Sequence, residues 1–449
     1  MIKTITLFLI ISVSNLFATT LSLDDAIDIL KKQNLEIKAA LLDVKSANAD
    51  ADSISGMNWG KLDFMQDFAR SNDAGNVFGF KLTSREASFG DFGFAQFDNT
   101  NPNILNVQPN DLNYPDSRNF YQSKLKYEIP LFTGFAISSY SNIKNAMIKM
   151  KTLEKEQIVN EKIYEIRKTF YDMALLDSST KNLNTILTNI NILENTTKTM
   201  IEVGYAKNID LLEVKSKKGN IQRLLMNMDS NKKLLYHYIS FLLNQKVTTI
   251  QTPQADLELP DFTTEEILLK NLDIQKAQTG LNIQKNMLSA SQASYYPTLG
   301  AFGEVATADD TFLGDASDHQ AYTVGARLTW NIFNGGIDSS NVEKSRVDFL
   351  KAQTQVQLAQ NGINLKIQKI KTEIQTADQE ISSLKTELLL ANVIYKNYEG
   401  RYKEKLSSMS DVIVKQSQQI QKILELQVAK NKRNQKVFAL EKLANGEQK

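Results

Sequence analysis

Two stretches of this chain, residues 131–252 and 298–449, contain no proline. Because proline ends or kinks a helix, each stretch can form helices that run for many turns. A helix over residues 136–201 would extend roughly 100 Å, several times the diameter of a globular core. In the second stretch, apolar residues recur at alternating steps of four and three, the heptad spacing of helices packed side by side. They are Ile363, Ile367, Ile370, Ile374, Ala377, Ile381, Leu384, Leu388, Ala391, Tyr395 and Tyr398. The chain is therefore predicted to be built on very long helices.

The first 19 residues have the pattern of a segment that directs a protein out of the cytoplasm. Lys3 precedes an apolar stretch from Ile5 to Phe17, and the small residues Ala18 and Thr19 follow it. This order is typical of a secretory signal peptide, and the stretch is too short to cross a bilayer as a helix. We expect residues 1–18 to be a signal peptide; the alternative is a structural N-terminal helix.

Composition limits how the rest of the chain could hold to a membrane. No window after the signal approaches 18 consecutive apolar residues, so helical membrane spans are not expected. The chain has 52 Lys plus Arg against 51 Asp plus Glu, which implies no nucleic-acid partner. It has no cysteine, so we expect neither disulfides nor a lipid anchor. Any membrane contact would have to be made by strands.

The chain reads as two tandem halves that share one order of elements. The first half covers residues 19–244 and the second 263–449, with a linker over 245–262 that contains Pro253 and Pro260. Each half opens with a helix, and the second of these is predicted over about 264–294. Two strands follow in each half, and then come long helices that turn back once. The first half carries an insertion, residues 75–119, between its strands. It could cover a pore, bind something outside the cell or pack as an aromatic plug.

Four segments alternate apolar and polar residues with period two, as strands with one apolar face do. The apolar positions are Leu62, Phe64 and Phe68; Tyr121, Leu125, Tyr127, Ile129 and Leu131; Leu299, Ala301 and Val305; and Tyr322, Val324, Ala326, Leu328, Trp330 and Ile332. Such strands fit an outer-membrane barrel with its apolar side toward lipid, or else a soluble four-stranded sheet packed on the helices. Four strands cannot close a barrel with a usable channel, so the barrel would need several chains.

The strand-to-helix turns Tyr127–Gly134 and Leu328–Gly336, and the helical turns Val203–Asp210 and Tyr402–Asp411, resemble those of the TolC family of outer-membrane efflux and secretion channels. The resemblance implies a mainly helical homotrimer whose strands form one twelve-stranded transmembrane barrel. A cylinder of paired helices would continue it from the outer membrane of a Gram-negative bacterium into the periplasm. The strand-to-helix turn positions that carry the resemblance are Pro130, Phe132, Gly134, Phe333, Gly335 and Gly336.

The resemblance also assigns roles at the two helical turns. Val203, Gly204, Tyr205 and Ala206, with their counterparts Lys405, Leu406, Ser407 and Ser408, would contact a periplasmic adaptor. A glycine is expected near Lys405. Asp411 would form a ring of carboxylates that gates the channel, with Asp210 and Tyr402 bracing the closed state. Val414 stands where the family's best-known form has a second aspartate, and Ser407 replaces an expected arginine. The alternative is that Asp210 and Asp411 only cap the returning helices.

Enzymatic chemistry has no support in the sequence. His237 and His319 are the only histidines and lie far apart, so no metal site or catalytic triad is predicted, and no cofactor is expected. We expect a passive outer-membrane duct that works with an adaptor (membrane fusion) protein and an inner-membrane pump of the RND, ABC or MFS type. The cargo stays open between drugs, metals and proteins. The alternative function is a secreted, oligomeric helical rod with a structural or interaction role.

Overall fold

The computed structural model describes residues 20–253, 257–312, 314 and 318–445. The predicted signal peptide and residues 254–256 of the predicted linker lie outside these ranges. Within them the helices are α1 (Leu23–Gln33), α2 (Leu35–Gly56), α3 (Ala74–Thr83), α4 (Asn110–Asn113), α5 (Ala136–Glu202), α6 (Asn208–Leu243), α7 (Thr264–Lys270), α8 (Leu272–Gln292), α9 (Ile337–Lys403) and α10 (Met409–Leu443). The strands are β1 (Lys61–Ser71), β2 (Arg118–Phe132), β3 (Thr298–Asp309) and β4 (Gln320–Thr329).

The chain divides into two compact units, each drawn from both halves of the sequence. The helical unit takes its described residues from 20–44, 151–278 and 355–445, and the sheet unit comprises residues 45–150 and the described part of 279–354. No helix in the described ranges is both long and apolar enough to cross a membrane.

The predicted long helices are present. Helices α5 and α9 contain 67 residues each. Of the heptad positions on α9, those from Ile363 to Leu384 and Tyr395 are buried, while Leu388, Ala391 and Tyr398 are half-buried. The heptad spacing therefore marks the face of α9 that packs on its neighbours, as predicted.

An asparagine breaks the helix at the start of each half. The predicted helix over 264–294 is interrupted at Asn271, which separates α7 from α8, and Asn34 separates α1 from α2 in the same way. Both asparagines are buried, and each adopts an extended ψ that a helix does not allow (124° at Asn271 and 130° at Asn34). Prediction of one continuous helix was wrong because a buried asparagine side chain can replace the helix's own hydrogen bonds.

These asparagines make equivalent contacts. Oδ1 of Asn271 accepts hydrogen bonds from the backbone N–H of Asp273 (3.0 Å) and Ile274 (3.2 Å) at the start of α8, and Nδ2 donates to the Leu443 carbonyl oxygen (3.0 Å) at the end of α10. Asn34 contacts the Leu242 carbonyl oxygen of α6 (2.8 Å) in the same way. Each side chain thus caps two helices at once.

Apolar clusters hold the helical unit together. One combines α1, α5 and α6, and a second combines α7, α9 and α10. A third lies under the two helical turns and includes Leu193, Val214, Tyr402, Met409 and Val412. The first two clusters are equivalent in the two halves of the sequence, each holding a short opening helix against a long hairpin.

The sheet unit contains one antiparallel sheet in the order β1-β2-β3-β4. One transverse row pairs Phe64 with Leu125, Leu125 with Val305, and Val305 with Tyr322. The adjacent row pairs Asp63 with Lys126, Lys126 with Glu304, and Glu304 with Thr323. Since neighbouring rows face opposite sides, the sheet has an apolar face and a polar face. The alternation predicted from sequence is confirmed, except that β4 ends at Thr329, before Trp330 and Ile332.

The insertion folds onto one end of this sheet. It contains α3 and α4 together with short 3₁₀ turns, and Phe80 stacks on Phe120 of β2 with ring centroids 4.3 Å apart. Val77 and Ser84 are buried. The insertion and the β3–β4 connection lie at the end of the sheet opposite the strand ends that lead into α5 and α9.

Candidate functional site: the paired helical turns

The first helical turn joins α5 to α6. The N–H of Tyr205 donates to the Met200 carbonyl oxygen (2.8 Å), and the N–H of Gly204 donates to that of Ile201 (3.0 Å). Gly204 has φ = +82°. These two bonds, with a left-handed residue between them, form the Schellman motif that ends a helix. The predicted turn is present, and Gly204 occupies the position where glycine is favoured.

The second turn, between α9 and α10, repeats this geometry. The N–H of Leu406 donates to the Arg401 carbonyl oxygen (2.7 Å), and the N–H of Lys405 donates to that of Tyr402 (3.0 Å). Lys405 has φ = +64° and therefore occupies the position of Gly204. The glycine that the family pattern leads one to expect near Lys405 is thus replaced at the left-handed position itself, where a lysine backbone is strained.

Lys405 also contacts the first turn. Its Nζ lies 3.3 Å from the centroid of the Tyr205 ring. The two residues were assigned separately to the two adaptor-contacting turns, and the structure brings them together. A cation over an exposed aromatic ring contributes about 0.5–1 kcal/mol, so this contact helps hold the turns side by side.

Two carboxylates occupy the same position in the returning helices. Asp210 Oδ2 accepts from the N–H of Lys207 (2.7 Å), and Asp411 Oδ2 accepts from the N–H of Ser408 (3.1 Å). The hydroxyl of Ser408 also donates to Asp411 Oδ2 (2.6 Å). The side-chain hydrogen bond from Ser408, with its backbone N–H, lowers the pKa of Asp411 below its ordinary 3.8. Both aspartates cap helices, and the exposed Asp411 stays ionised at neutral pH.

Tyr402 lies inside the helical unit. Its side chain is buried, and its hydroxyl donates to Thr197 Oγ1 on α5 (3.4 Å). Burial raises the pKa of this hydroxyl, so Tyr402 remains a neutral donor. Within one chain it links α9 to α5 directly beneath the turns.

The strand-to-helix turns depend on left-handed residues. Gly134 has φ = +62°, and a Cβ there would lie 2.6 Å from the Ala293 carbonyl oxygen. Gly335 and Gly336 have φ = +71° and +85° in the second half. Pro130 and Phe132 flank an irregularity in the β2–β3 register, and Phe333 is exposed. Glycine is needed at Gly134 because no other residue fits both its φ and its space.

The apolar face of the sheet is exposed in the single chain. Phe64, Leu125, Val305 and Tyr322 form one transverse row, and their exposed fractions are 68%, 46%, 54% and 82%. On the polar face, Lys124 and Glu304 form an ion pair (3.3 Å). A single soluble chain does not normally leave such a wide apolar row open to water.

Comparison with known proteins gives a match to a family model. Residues 263–446 match the family model of the outer membrane efflux proteins. The matched residues lie in the second half of the sequence. The resemblance to the TolC family that the sequence predicted is therefore confirmed.

One curated protein similar to this chain is the multidrug resistance outer membrane protein MdtQ of Escherichia coli O6:H1. The two chains are 23% identical over 188 residues, which covers 39% of this chain and 38% of MdtQ. The putative multidrug resistance outer membrane protein MdtQ of Shigella flexneri matches to the same extent. The matched region is therefore well under half of these relatives' length.

Solved structures match this chain over nearly its whole length. CusC, whose crystal structures concern folding and transmembrane channel formation, gives a TM-score of 0.79 at 12% identity, covering 95% of this chain and 92% of CusC. The outer membrane protein VceC of Vibrio cholerae gives 0.77 at 13% identity, covering 94% and 96%. The CmeC outer membrane channel of Campylobacter jejuni gives 0.75 at 14%, covering 94% and 85%. These matches confirm the predicted fold class.

Sequence reasoning missed the two buried asparagines and the Lys405–Tyr205 contact. The asparagines had a signal: Asn34-Leu-Glu-Ile37 and Asn271-Leu-Asp-Ile274 are near-identical tetrapeptides at matching places in the two halves. The Lys405–Tyr205 contact had none, because about 200 residues separate the two side chains in the sequence.

Proposed function

We propose that this chain is the outer-membrane channel subunit of a tripartite efflux or type I secretion system. Three copies would form a passive duct across the outer membrane and periplasm, gated at the paired helical turns. An adaptor protein would dock on those turns, and an inner-membrane pump of the RND, ABC or MFS type would supply the energy. The family match and the likeness to outer-membrane channels support this function.

The observation that carries the proposal is the two-faced sheet. β1 and β4 each have one neighbouring strand in the described chain, so both edges are available for pairing with other copies. Three such sheets would supply twelve strands, enough to enclose a channel. The exposed apolar row at Phe64, Leu125, Val305 and Tyr322 would face lipid, and the row containing Lys126 and Glu304 would face water.

The helical turns supply the rest of the proposal. Asp411 is exposed, and hydrogen bonds keep it ionised, so three copies near one axis would attract cations and repel anions. One of its oxygens also caps α10, and the two roles are compatible because a carboxylate has several acceptor positions. Tyr402, Asp210 and the Lys405–Tyr205 contact would stabilise the closed arrangement of the turns, which opens when helices shift.

The test is a matched pair of substitutions on β4. Val324 lies on the apolar face and is 77% exposed, and its neighbour Thr323 lies on the polar face opposite Glu304. Val324→Arg should abolish or strongly reduce heat-modifiable trimers in outer-membrane fractions, because arginine facing lipid costs up to about 2–4 kcal/mol per chain. Thr323→Arg should leave trimers at the wild-type level, since that side faces water and Glu304.

The alternative of a secreted helical rod predicts a different result. If wild-type protein stays soluble without detergent, and both variants behave alike, the sheet does not contact lipid and the channel proposal is wrong. Equal loss of trimers in both variants would contradict the assignment of the two faces.

A further inference from the structure

Three side chains from separate parts of the sheet unit converge at the end of the sheet covered by the insertion. A ring nitrogen of His319 and one carboxylate oxygen each of Glu86 and Asp309 all lie within 4.8 Å of one another. Glu86 follows α3 in the insertion, Asp309 ends β3, and His319 immediately precedes β4. Their separation in sequence conceals the cluster, which is why no metal site was predicted from two isolated histidines.

A backbone carbonyl holds the His319 ring. Its Nδ1 lies 3.2 Å from the Ala308 carbonyl oxygen. Because a carbonyl oxygen only accepts hydrogen bonds, Nδ1 carries the proton, and Nε2 of the neutral ring keeps its lone pair. A backbone carbonyl that fixes the tautomer in this way is the usual partner behind a histidine ligand.

The two carboxylates are also held in place. Asp309 is 6% exposed, and its Oδ1 accepts the N–H of Asp310 (2.6 Å) and of Thr311 (3.3 Å). Ser84 donates to Glu86 Oε2 (2.6 Å), and Arg118 pairs with the same oxygen. Zinc ligands at about 2.1 Å from the metal lie about 3.4 Å apart, and the three ligand atoms here lie within 4.8 Å of one another.

A cavity with more acidic than basic side chains lies beside the cluster. Arg118 is shared between Glu86 and Asp310, whose carboxylate lies 3.3 Å from it. A cavity of about 850 Å³ adjoins these residues, and four aspartates and two basic residues line it. The aspartates are Asp91, Asp111, Asp116 and Asp310, and the basic residues are Lys81 and Arg118. This excess of carboxylates raises the local concentration of cations.

We propose that Glu86, Asp309 and His319 bind one divalent transition-metal ion, with Zn²⁺ as the model ligand, and that the ion ties the insertion to the β3–β4 connection. One nitrogen and two carboxylate oxygens suit zinc and leave a fourth position for water. Calcium and magnesium prefer oxygen ligands alone, so they should bind more weakly. The site belongs to the sheet unit and does not depend on the channel function.

Binding is measured by isothermal titration of Zn²⁺ into the purified full chain in detergent, prepared with a tag that contains no histidine. The chain has two histidines and no cysteine, which gives a matched control for the ligand. Wild type should bind one Zn²⁺ per chain. His319→Gln should weaken the affinity at least about tenfold, and His237→Gln on α6 should leave it unchanged. Glu86→Gln should weaken it as well.

A second experiment tests whether the ion links the insertion to the β3–β4 connection. Arg85 is exposed and directly precedes Glu86, so trypsin cleavage after Arg85 reports on the insertion. Zn²⁺ should slow this cleavage in wild type and in His237→Gln, and should have no effect in His319→Gln. Equal zinc affinity in wild type and His319→Gln would overturn the site, as would binding of Ca²⁺ or Mg²⁺ as tight as that of Zn²⁺. Zinc binding without protection from cleavage at Arg85 would show that the ion does not link the insertion to the β3–β4 connection.

Discussion

Asn271→Ala removes one side chain that caps two helices. The N–H groups of Asp273 and Ile274 lose their acceptor, and loss of an N-cap costs about 1 kcal/mol. The Leu443 carbonyl oxygen loses its donor at a buried position, which costs about 1–3 kcal/mol. Since Asn271 is 2% exposed, water does not replace these bonds. We expect the free energy of unfolding to fall by about 2–4 kcal/mol.

The assay is thermal unfolding of the purified protein, followed by hydrogen exchange at the start of α8. The midpoint should fall by about 4–8 °C, at about 2 °C per kcal/mol for a large chain. The amides of Asp273 and Ile274 should exchange faster. Asn286→Ala is the control, because Asn286 is exposed on the same helix and its side chain bonds to Asn282, one turn earlier. Its effect should stay within about 0.5 kcal/mol. An Asn271→Ala midpoint equal to that of the control would refute the double-cap reasoning.

Two further outcomes are expected. In a denaturation assay, Gly134→Ala should destabilise the protein by at least about 2 kcal/mol, because the new Cβ would lie 2.6 Å from the Ala293 carbonyl oxygen and the residue has φ = +62°. Gly219→Ala is the control in the same assay. Gly219 lies inside α6 with no atom within 4 Å of an added Cβ, so this change should stabilise the protein by about 0.5–1 kcal/mol. Asp411→Ala should lower the cation preference of the reconstituted pore. Hydrogen bonds from Ser408 lower the pKa of Asp411 in the folded protein below the ordinary 3.8. The cation preference of wild type should therefore persist at pH 3.8 and disappear only as the pH falls through the lower pKa. Unchanged selectivity in Asp411→Ala would argue against a carboxylate gate.

The spacing of apolar residues in the sequence predicted the long helices and the strands. The heptad residues from Ile363 to Tyr398 defined the packed face of α9, and the period-two alternation defined the two faces of the sheet, because each pattern follows directly from backbone geometry. The turns at Gly204 and Gly134 were likewise predicted, since only glycine adopts a left-handed conformation without cost.

Features that depend on distant side chains were not predicted. Asn271 reads as an ordinary helix residue until its amide is seen to reach Leu443, far along the chain. The missing glycine marks the second turn in the sequence, but only the structure shows that Lys405 itself adopts the left-handed backbone. The convergence of Glu86, Asp309 and His319 depends on how the insertion packs on the sheet, which no local pattern specifies.

Single-channel recording tests the central claim most directly. The chain from Thr19 to Lys449 is purified, its oligomeric mass is measured in detergent, and it is added to a planar lipid bilayer. A trimer that inserts and gives a small, cation-selective conductance is the predicted result, because three two-faced sheets would form one channel closed at turns that carry Asp411. A protein that never inserts, or that conducts as a monomer, would contradict the account.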